Sequence, residues 1–371
     1  MGKGHLVPLR ANNALLAGAG MNLPWIRSVV RAMRPYVPGE QPQELGFIKL
    51  NTNENPYPPS PRVIEAIRNA ANESLRLYPD PTARSVREAA GQRYGVDPDQ
   101  VLVGNGSDEL LALIVRACVD PDDPVAYPYP TYSLYDTLVE IQNGRPQRIP
   151  YSRDFVFPAE ELKRVQPKLV FVCHPNSPSG TPVSVDRIKG LAVDLPETLV
   201  VVDEAYVDFA NESALGLVQT LPNVIVLRTL SKSFSLAGLR IGLAFAAANT
   251  IRELAKVKDS YNVDRLSLAG ARAALEDYEW MQQHVQRIRA TRHRLVGELR
   301  ELGFEVPPSE ANFVLARRPG QRLEGLYQAL KQQRILVRYF DTPELYDALR
   351  ITVGTDDEID TLLGALRTMR A

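Results

Sequence analysis

Cysteine is nearly absent from this chain of 371 residues. Cys118 and Cys173 are the only two, far apart and each in an apolar context. That excludes a disulfide framework and reads as reduced core thiols in a cytoplasmic protein. Histidine is also scarce. His5, His174, His284 and His293 show no metal-ligand spacing, so no metal site is expected. An excess of charge of either sign is missing too, the formal net charge being −1. No global basic field exists to attract nucleic acid or an anionic membrane. No apolar run approaches the length of a membrane span.

What is present reads as an ordinary soluble composition, 44% hydrophobic, on a chain long enough for two domains. Residues 1–20 stand apart, being rich in Ala, Gly and Asn. Their apolar patch at 14–17 is too short for a secretory core, so they read as a disordered leader or non-native remnant, with Met21 as the natural start. Residues 22–33 suit a short amphipathic helix. Residues 51–61 (NTNENPYPPSP) are dense in turn formers and cannot be a regular element. A loop that long is more often functional than decorative.

From residue 100 onward, short apolar runs alternate with helical periodicity. The runs at 100–103, 124–127, 146–149, 168–173, 199–203, 223–228 and 240–247 read as strands. Several lack alternation, so both their faces are covered. This predicts an α/β fold with a mostly parallel sheet between helices. Residues 267–302 read as one long helical stretch. After Gly303, short strands at 312–316, 335–338 and 349–353 suggest a smaller α+β domain. The expected division is a large domain over residues 61–262 and a small one over 263–371, completed by residues 21–60.

Four stretches carry candidate chemistry, each at the end of a strand. Val103-Gly-Asn-Gly-Ser107-Asp108-Glu109 joins a strand, a glycine turn and a helix start, which together aim free N–H groups at an anion. Taken alone it is a capped helix. His174-Pro-Asn176-Ser177-Pro-Ser-Gly180 is a stiff turn with short polar groups. His174 itself reads as a hydrogen-bonded structural residue. Val200-Val-Val-Asp203-Glu-Ala-Tyr206 closes a buried strand with a carboxylate, which is costly without a positive partner. Helix capping is its plainer reading. Thr229-Leu-Ser231-Lys232 sets a lysine between two apolar segments, with Arg240 downstream. Burial would lower the lysine pKa as a Schiff-base lysine requires, and the flanking hydroxyls and guanidinium suit a phosphate. A surface lysine in a loop is the alternative. The four together fit pyridoxal phosphate, which needs a lysine, a carboxylate for its ring nitrogen, a donor to its phenolic oxygen and a phosphate anchor.

These motifs, with LNTNENP (50–56), YPDP (78–81), YPTY (129–132), EANFVLAR (310–317) and LRITVGT (349–355), resemble the fold-type-I aminotransferases. Within that group the chain is similar to the histidinol-phosphate aminotransferases. The resemblance runs from Met21 to the C-terminus. It implies that Lys232 carries the cofactor and shuttles the proton, and that Asp203 holds the ring nitrogen. Tyr206 and Ser177 would serve the phenolic oxygen, Asn176 would belong to the cofactor-binding set, and Tyr132 would lie on the ring face. Ser107, Asp108, Thr229, Ser231 and Arg240 would cradle the phosphate. Tyr78 would reach it from a partner subunit, which implies a homodimer with a shared site. On the substrate side it implies Arg350 for a carboxylate, Arg338 and Tyr36 for a phosphate, and Asn53. The implied reaction converts histidinol phosphate and 2-oxoglutarate into imidazole acetol phosphate and glutamate. An aromatic amino-acid aminotransferase and a threonine-phosphate decarboxylase are alternatives. The family usually has Asn where this chain has Ser177.

Overall fold

The computed structural model describes residues 23–33, 39–42, 44 and 46–369. The leader expected over residues 1–20, the start at Met21, and Tyr36 lie outside them. Twelve strands are described: β1 (Ile48–Lys49), β2 (Val101–Asn105), β3 (Pro124–Tyr129), β4 (Arg145–Pro150), β5 (Leu169–Cys173), β6 (Leu199–Asp203), β7 (Val224–Thr229), β8 (Ile241–Phe245), β9 (Phe313–Arg317), β10 (Ile335–Leu336), β11 (Arg338–Tyr339) and β12 (Ala348–Thr352).

Seven of them form the central sheet, in the order β2-β8-β7-β6-β5-β3-β4. All neighbours from β7 to β4 are parallel, while β8 runs antiparallel to both β2 and β7. The sheet is therefore mostly parallel, as expected. Its middle strands are apolar up to their carboxyl ends because both faces are packed. Val170, Val172, Val200 and Val202 enter one core cluster, and Leu169, Phe171, Cys173 and Val201 enter the other. The edge strand β4 instead alternates exposed and half-buried positions, and carries Arg145, Pro146, Arg148 and Pro150. Proline and charge blunt an open edge against further pairing.

The helices that cover the sheet follow their strands in short crossovers. Ser107–Cys118 follows β2, Leu134–Ile141 links β3 to β4, and Val185–Asp194 links β5 to β6. These connections send β2, β3, β5, β6 and β7 to one edge of the sheet with their carboxyl ends. Ligands bind at that edge in open parallel sheets.

Beyond the sheet, β12 lies between β11 and β9 in an antiparallel three-stranded sheet, and β1 pairs in parallel with β10. The helical stretch at 267–302 is not one helix. It breaks at Asp277 into Arg265–Glu276 and Tyr278–Glu301. Asp277 has φ −109° and ψ 50°, and its carboxylate accepts from the Ser60 hydroxyl. Ser60 in turn caps the helix Pro61–Ala70 through the Arg62 N–H. Asp277 thus lies at a helix boundary while its carboxylate holds the residue that caps another helix. The helix expected over 22–33 is confined, among the described residues, to Ser28–Ala32. No described helix is long and apolar enough to cross a membrane.

Candidate active site

The strand ends converge on one cavity of about 250 Å³. Thr229 closes β7, and Lys232 follows three residues later, half-buried in the cavity wall. Lys232 Nζ lies 3.4 Å from the Thr52 carbonyl and 5.8 Å from the centre of the Tyr206 ring. Burial, and then the nearby Arg350 charge, push its pKa down to about 8. Its backbone is pinned as well, because Asn55 Nδ2 donates to the carbonyls of Lys232 and Ser233 at 3.1 and 3.0 Å.

Asp203 closes β6 and is buried. Its Oδ2 accepts from the Tyr135 hydroxyl at 2.8 Å and its Oδ1 from the Ala205 N–H at 3.2 Å. Among the described residues no cation forms an ion pair with it. Burial pushes its pKa up to about 6 against those two hydrogen bonds. The neighbouring carboxylate is treated otherwise: Glu204 pairs with Arg228 at 3.1 Å, and both are buried. That pair ties the ends of β6 and β7 together behind the cavity.

Tyr206 packs edge-on against Phe313 with its hydroxyl 3.0 Å from Asn53 Nδ2. On the far side of the cavity, the helix Ser107–Cys118 begins at Gly106, and no side chain caps its first N–H groups. The capped-helix reading of this stretch finds no side-chain cap, and Ser107 is the first residue of the helix. Gly106 has φ +82°, and a Cβ there would lie 2.5 Å from the Arg240 guanidinium. A Cβ at Gly242 would lie 2.5 Å from Ser107 N. Two glycines therefore let β8 and Arg240 close onto the helix start. Arg240 Nη2 lies 3.1 Å from Asp108 Oδ2, and Nη1 3.5 Å from Ser231 Oγ. Ser231 Oγ is 3.0 Å from Thr229 Oγ1. Tyr132 donates to Asp108 Oδ1 at 3.0 Å.

The small sheet supplies the remaining wall. Arg338 and Arg350 are register partners across β11 and β12. Both guanidinium carbons lie near the Phe340 ring, at 5.3 and 5.6 Å from its centre. Arg350 also reaches Ser177 Oγ at 3.4 Å and the Asn51 carbonyl at 2.8 Å. All of these residues line the cavity except Asn55, Arg228, Ser233, Glu204, Tyr135, Phe313 and the glycines Gly106 and Gly242. A buried carboxylate, a depressed lysine, an uncapped helix start and two arginines can together hold a dianionic group, a cationic ring nitrogen and an anionic substrate.

The sequence profile of the aminotransferase class I and II family matches residues 46–366. The chain belongs to that family. This aminotransferase is 49% identical over 346 residues to histidinol-phosphate aminotransferase 1 of a Nostoc species, covering 93% of this chain and 98% of that one. It is also 49% identical over 339 residues to the histidinol-phosphate aminotransferase of Rhodopirellula baltica, covering 91% and 93% of the two chains. Among solved structures, the Sinorhizobium meliloti histidinol-phosphate aminotransferase in complex with pyridoxal-5'-phosphate superposes with a TM-score of 0.80 at 29% identity, over 86% of this chain and 91% of that one. An aromatic aminotransferase from Pyrococcus horikoshii reaches a TM-score of 0.78 at 19% identity, covering 87% and 95%, a likeness of fold alone.

The aminotransferase does not bring every candidate residue to its cavity. Asn176 is fully buried beneath it, with Nδ2 donating to the Pro130 carbonyl and Ser179 Oγ, and Oδ1 accepting from the Thr131 hydroxyl. Its amide holds the turn, and Ser177 and Pro178 are the members of that turn that line the cavity. His174 is likewise structural, accepting from the Val183 N–H. Tyr78 is 76% exposed, stacks on Tyr261 and lies outside the cavity of its own chain. Tyr135, Asn55 and Thr352 were not foreseen. Tyr135 had one available signal, since it lies three residues after Tyr132 and so on the same side of a helical turn.

Proposed function

We propose that this aminotransferase transfers the amino group of histidinol phosphate to 2-oxoglutarate on pyridoxal phosphate, giving imidazole acetol phosphate and glutamate in histidine biosynthesis. The observation that carries it is the convergence of Lys232, Asp203 and Tyr206 with the Arg338–Arg350 pair on one cavity. The near-full-length similarity to histidinol-phosphate aminotransferases supports the same reading.

The residues present fit the cofactor. Asp203 is a buried carboxylate with no cationic partner among the described residues, which suits a ring N–H cation. Such a cation would pull its raised pKa back down. The helix start at Gly106 and Ser107, with Thr229, Ser231 and Arg240, suits a phosphate. The Arg240–Asp108 pair is half-exposed and therefore cheap to exchange. Tyr132 would lie along the ring, and Tyr206 and Ser177 would face its phenolic oxygen. When bound, the cofactor supplies a sink for the electrons left behind as a proton leaves the carbon next to nitrogen.

Lys232 moves that proton. A lysine with pKa near 8 holds a useful neutral fraction at neutral pH, so Nζ can take the proton from the substrate carbon. Arg350 orients a substrate carboxylate by a two-pronged contact, and Arg338 a substrate phosphate. Phe340 keeps both guanidinium groups against a dry face.

We further infer that the enzyme works in the cytoplasm as a homodimer. Leu75, Leu77, Tyr78 and Tyr261 are all about half or more exposed, an apolar surface that a second copy would cover. Tyr78 would then reach the partner's phosphate cradle. The free thiols Cys118 and Cys173 suit a reducing compartment.

The test is a single-turnover measurement of the purified holoenzyme with histidinol phosphate, phenylalanine, tyrosine and glutamate in turn. Histidinol phosphate should react fastest among the amino donors. A faster reaction with phenylalanine or tyrosine would overturn the substrate assignment, and release of carbon dioxide from threonine phosphate would point to a decarboxylase.

A further inference from the structure

We propose that Asn53 and Thr352 act as a pair of positioning residues that aim the hydroxyl proton of Tyr206 into the cavity, toward the phenolic oxygen of the bound cofactor. The inference rests on the pyridoxal phosphate reading given above. It assigns Asn53 to Tyr206 instead of to the substrate.

Hydrogen-bond direction carries it. The Asn53 backbone N–H donates to Thr352 Oγ1 at 3.0 Å. The Thr352 hydroxyl then has one proton of its own to place, and Asn53 Oδ1 lies 3.0 Å away. An amide oxygen only accepts, so Thr352 donates to it. This decides which way round the amide sits, and leaves Nδ2 facing Tyr206 Oη at 3.0 Å. An amide nitrogen only donates, so Tyr206 accepts there. The phenolic proton must point elsewhere, and the open side of Tyr206 is the cavity.

The reversed amide is disfavoured by the same count. Thr352 would then accept twice, and its proton would have no acceptor among the described residues. Thr352 is 2% exposed, so that proton could not turn to water. Asn53 is also unable to swing away. It is buried, holds φ +57°, and its carbonyl accepts from Asn312 Nδ2 at 3.0 Å. Asparagine tolerates that left-handed backbone better than most residues. The Thr352 N–H donates to the Leu50 carbonyl at 3.0 Å, so strand β12 and the Asn53 turn move as one piece. Burial pushes the Tyr206 phenol up to about 12, so it keeps its proton at neutral pH and remains a donor.

A donated hydrogen bond holds the cofactor's phenolic oxygen anionic and lowers the proton affinity of the conjugated group beside it. The experiment therefore reads the pH midpoint of the bound cofactor's visible absorbance, together with the cofactor dissociation constant. Thr352→Val removes the hydroxyl at constant shape, and Asn53→Gly removes the amide while tolerating the positive φ. Each should raise the midpoint by about half to one pH unit, the loss of one oriented hydrogen bond. Thr352→Ser should behave as the parent enzyme. In the Tyr206→Phe background neither Thr352→Val nor Asn53→Gly should move the midpoint further. A midpoint unmoved by Thr352→Val, or moved equally in the Tyr206→Phe background, overturns the proposal. If Asn53→Gly fails to fold, the two Thr352 variants decide alone. A parent enzyme with no visible cofactor band would instead overturn the cofactor reading itself.

Discussion

The Tyr135 hydroxyl donates to Asp203 Oδ2 across 2.8 Å, from the helix that follows β3 to the end of β6. Tyr135 is itself clamped. It stacks on Phe171 at 4.5 Å and meets Tyr132 edge-on at 5.7 Å. A buried carboxylate is thereby given a fixed direction and a partial neutralisation, but no countercharge. Its remaining demand is electrostatic, and a bound cation would meet it.

Removing that charge should stabilise the cofactor-free protein. The Asp203 pKa is about 6 when folded, against an ordinary 3.8. The folded chain keeps a proton through this window that the unfolded chain releases, so stability falls as pH rises from about 4 to 6. Above the window the full cost is about 3 kcal/mol. Asp203→Asn should therefore unfold at higher urea than the parent at pH 7.5, with the advantage gone near pH 4. It should also bind pyridoxal phosphate far more weakly. Equal stability of the two proteins at both pH values would show that Asp203 is not strained.

Tyr135→Phe should act in the opposite sense on the same carboxylate. The hydroxyl bond lowers the Asp203 pKa, so its loss raises that pKa further above the ordinary range. A protonated Asp203 cannot hold a ring cation. Cofactor affinity should fall about tenfold at neutral pH and recover as pH rises, the loss of one hydrogen bond to a charged group. Cofactor titration at several pH values reads this directly, and a pH-independent loss would mean that Tyr135 serves packing alone.

Capture of the cofactor by the cofactor-free chain should follow the neutral fraction of Lys232. The rate should rise about tenfold per pH unit below 8 and level off above it. Arg350→Leu removes the main charge that depresses the lysine, so the plateau should move to higher pH. Lys232→Ala should abolish both the visible band and turnover. Stopped-flow absorbance measures all three, and a rate flat between about pH 6 and 8 would contradict the lowered lysine.

The two opposed arginines should divide the substrates between them. Arg338→Leu should cut kcat/KM for histidinol phosphate by about 100-fold or more, with much less effect on glutamate. Arg350→Leu should do the reverse. Steady-state kinetics of both half-reactions would settle the division, and equal losses for the two substrates would refute it.

Much of this site is legible before any coordinates are seen, for a physical reason. Asp203, Lys232 and the Gly104–Gly106 turn each break a local rule: a carboxylate or ammonium in an apolar run, or glycines between a strand and a helix. Such exceptions are visible in a single stretch of sequence. Tyr135 breaks none, because a tyrosine in an amphipathic helix is ordinary, and its meaning depends on β3 and β6 being two strands apart. Asn176 shows the converse case. Its polar turn reads as a ligand, while its amide is bonded to the Thr131 and Ser179 hydroxyls and the Pro130 carbonyl. The break at Asp277 was hidden because helical periodicity continues across it, while its carboxylate meets Ser60 and Arg62 from a helix far earlier in the chain.

The turn at residues 51–55 sets the order in which this enzyme can come into being. Asn53 meets its partner Thr352 across 299 positions of chain, and Asn55 reaches Lys232 across 177. A nascent chain can assemble the seven-stranded sheet once Phe245 has emerged, because every strand of that sheet lies before it. The Arg338–Arg350 wall and the Asn53–Thr352 contact are complete only once β12 has followed. The last few tens of residues to be synthesised thus close the cavity, and a chain cut before Thr352 lacks the contact that fixes Asn53.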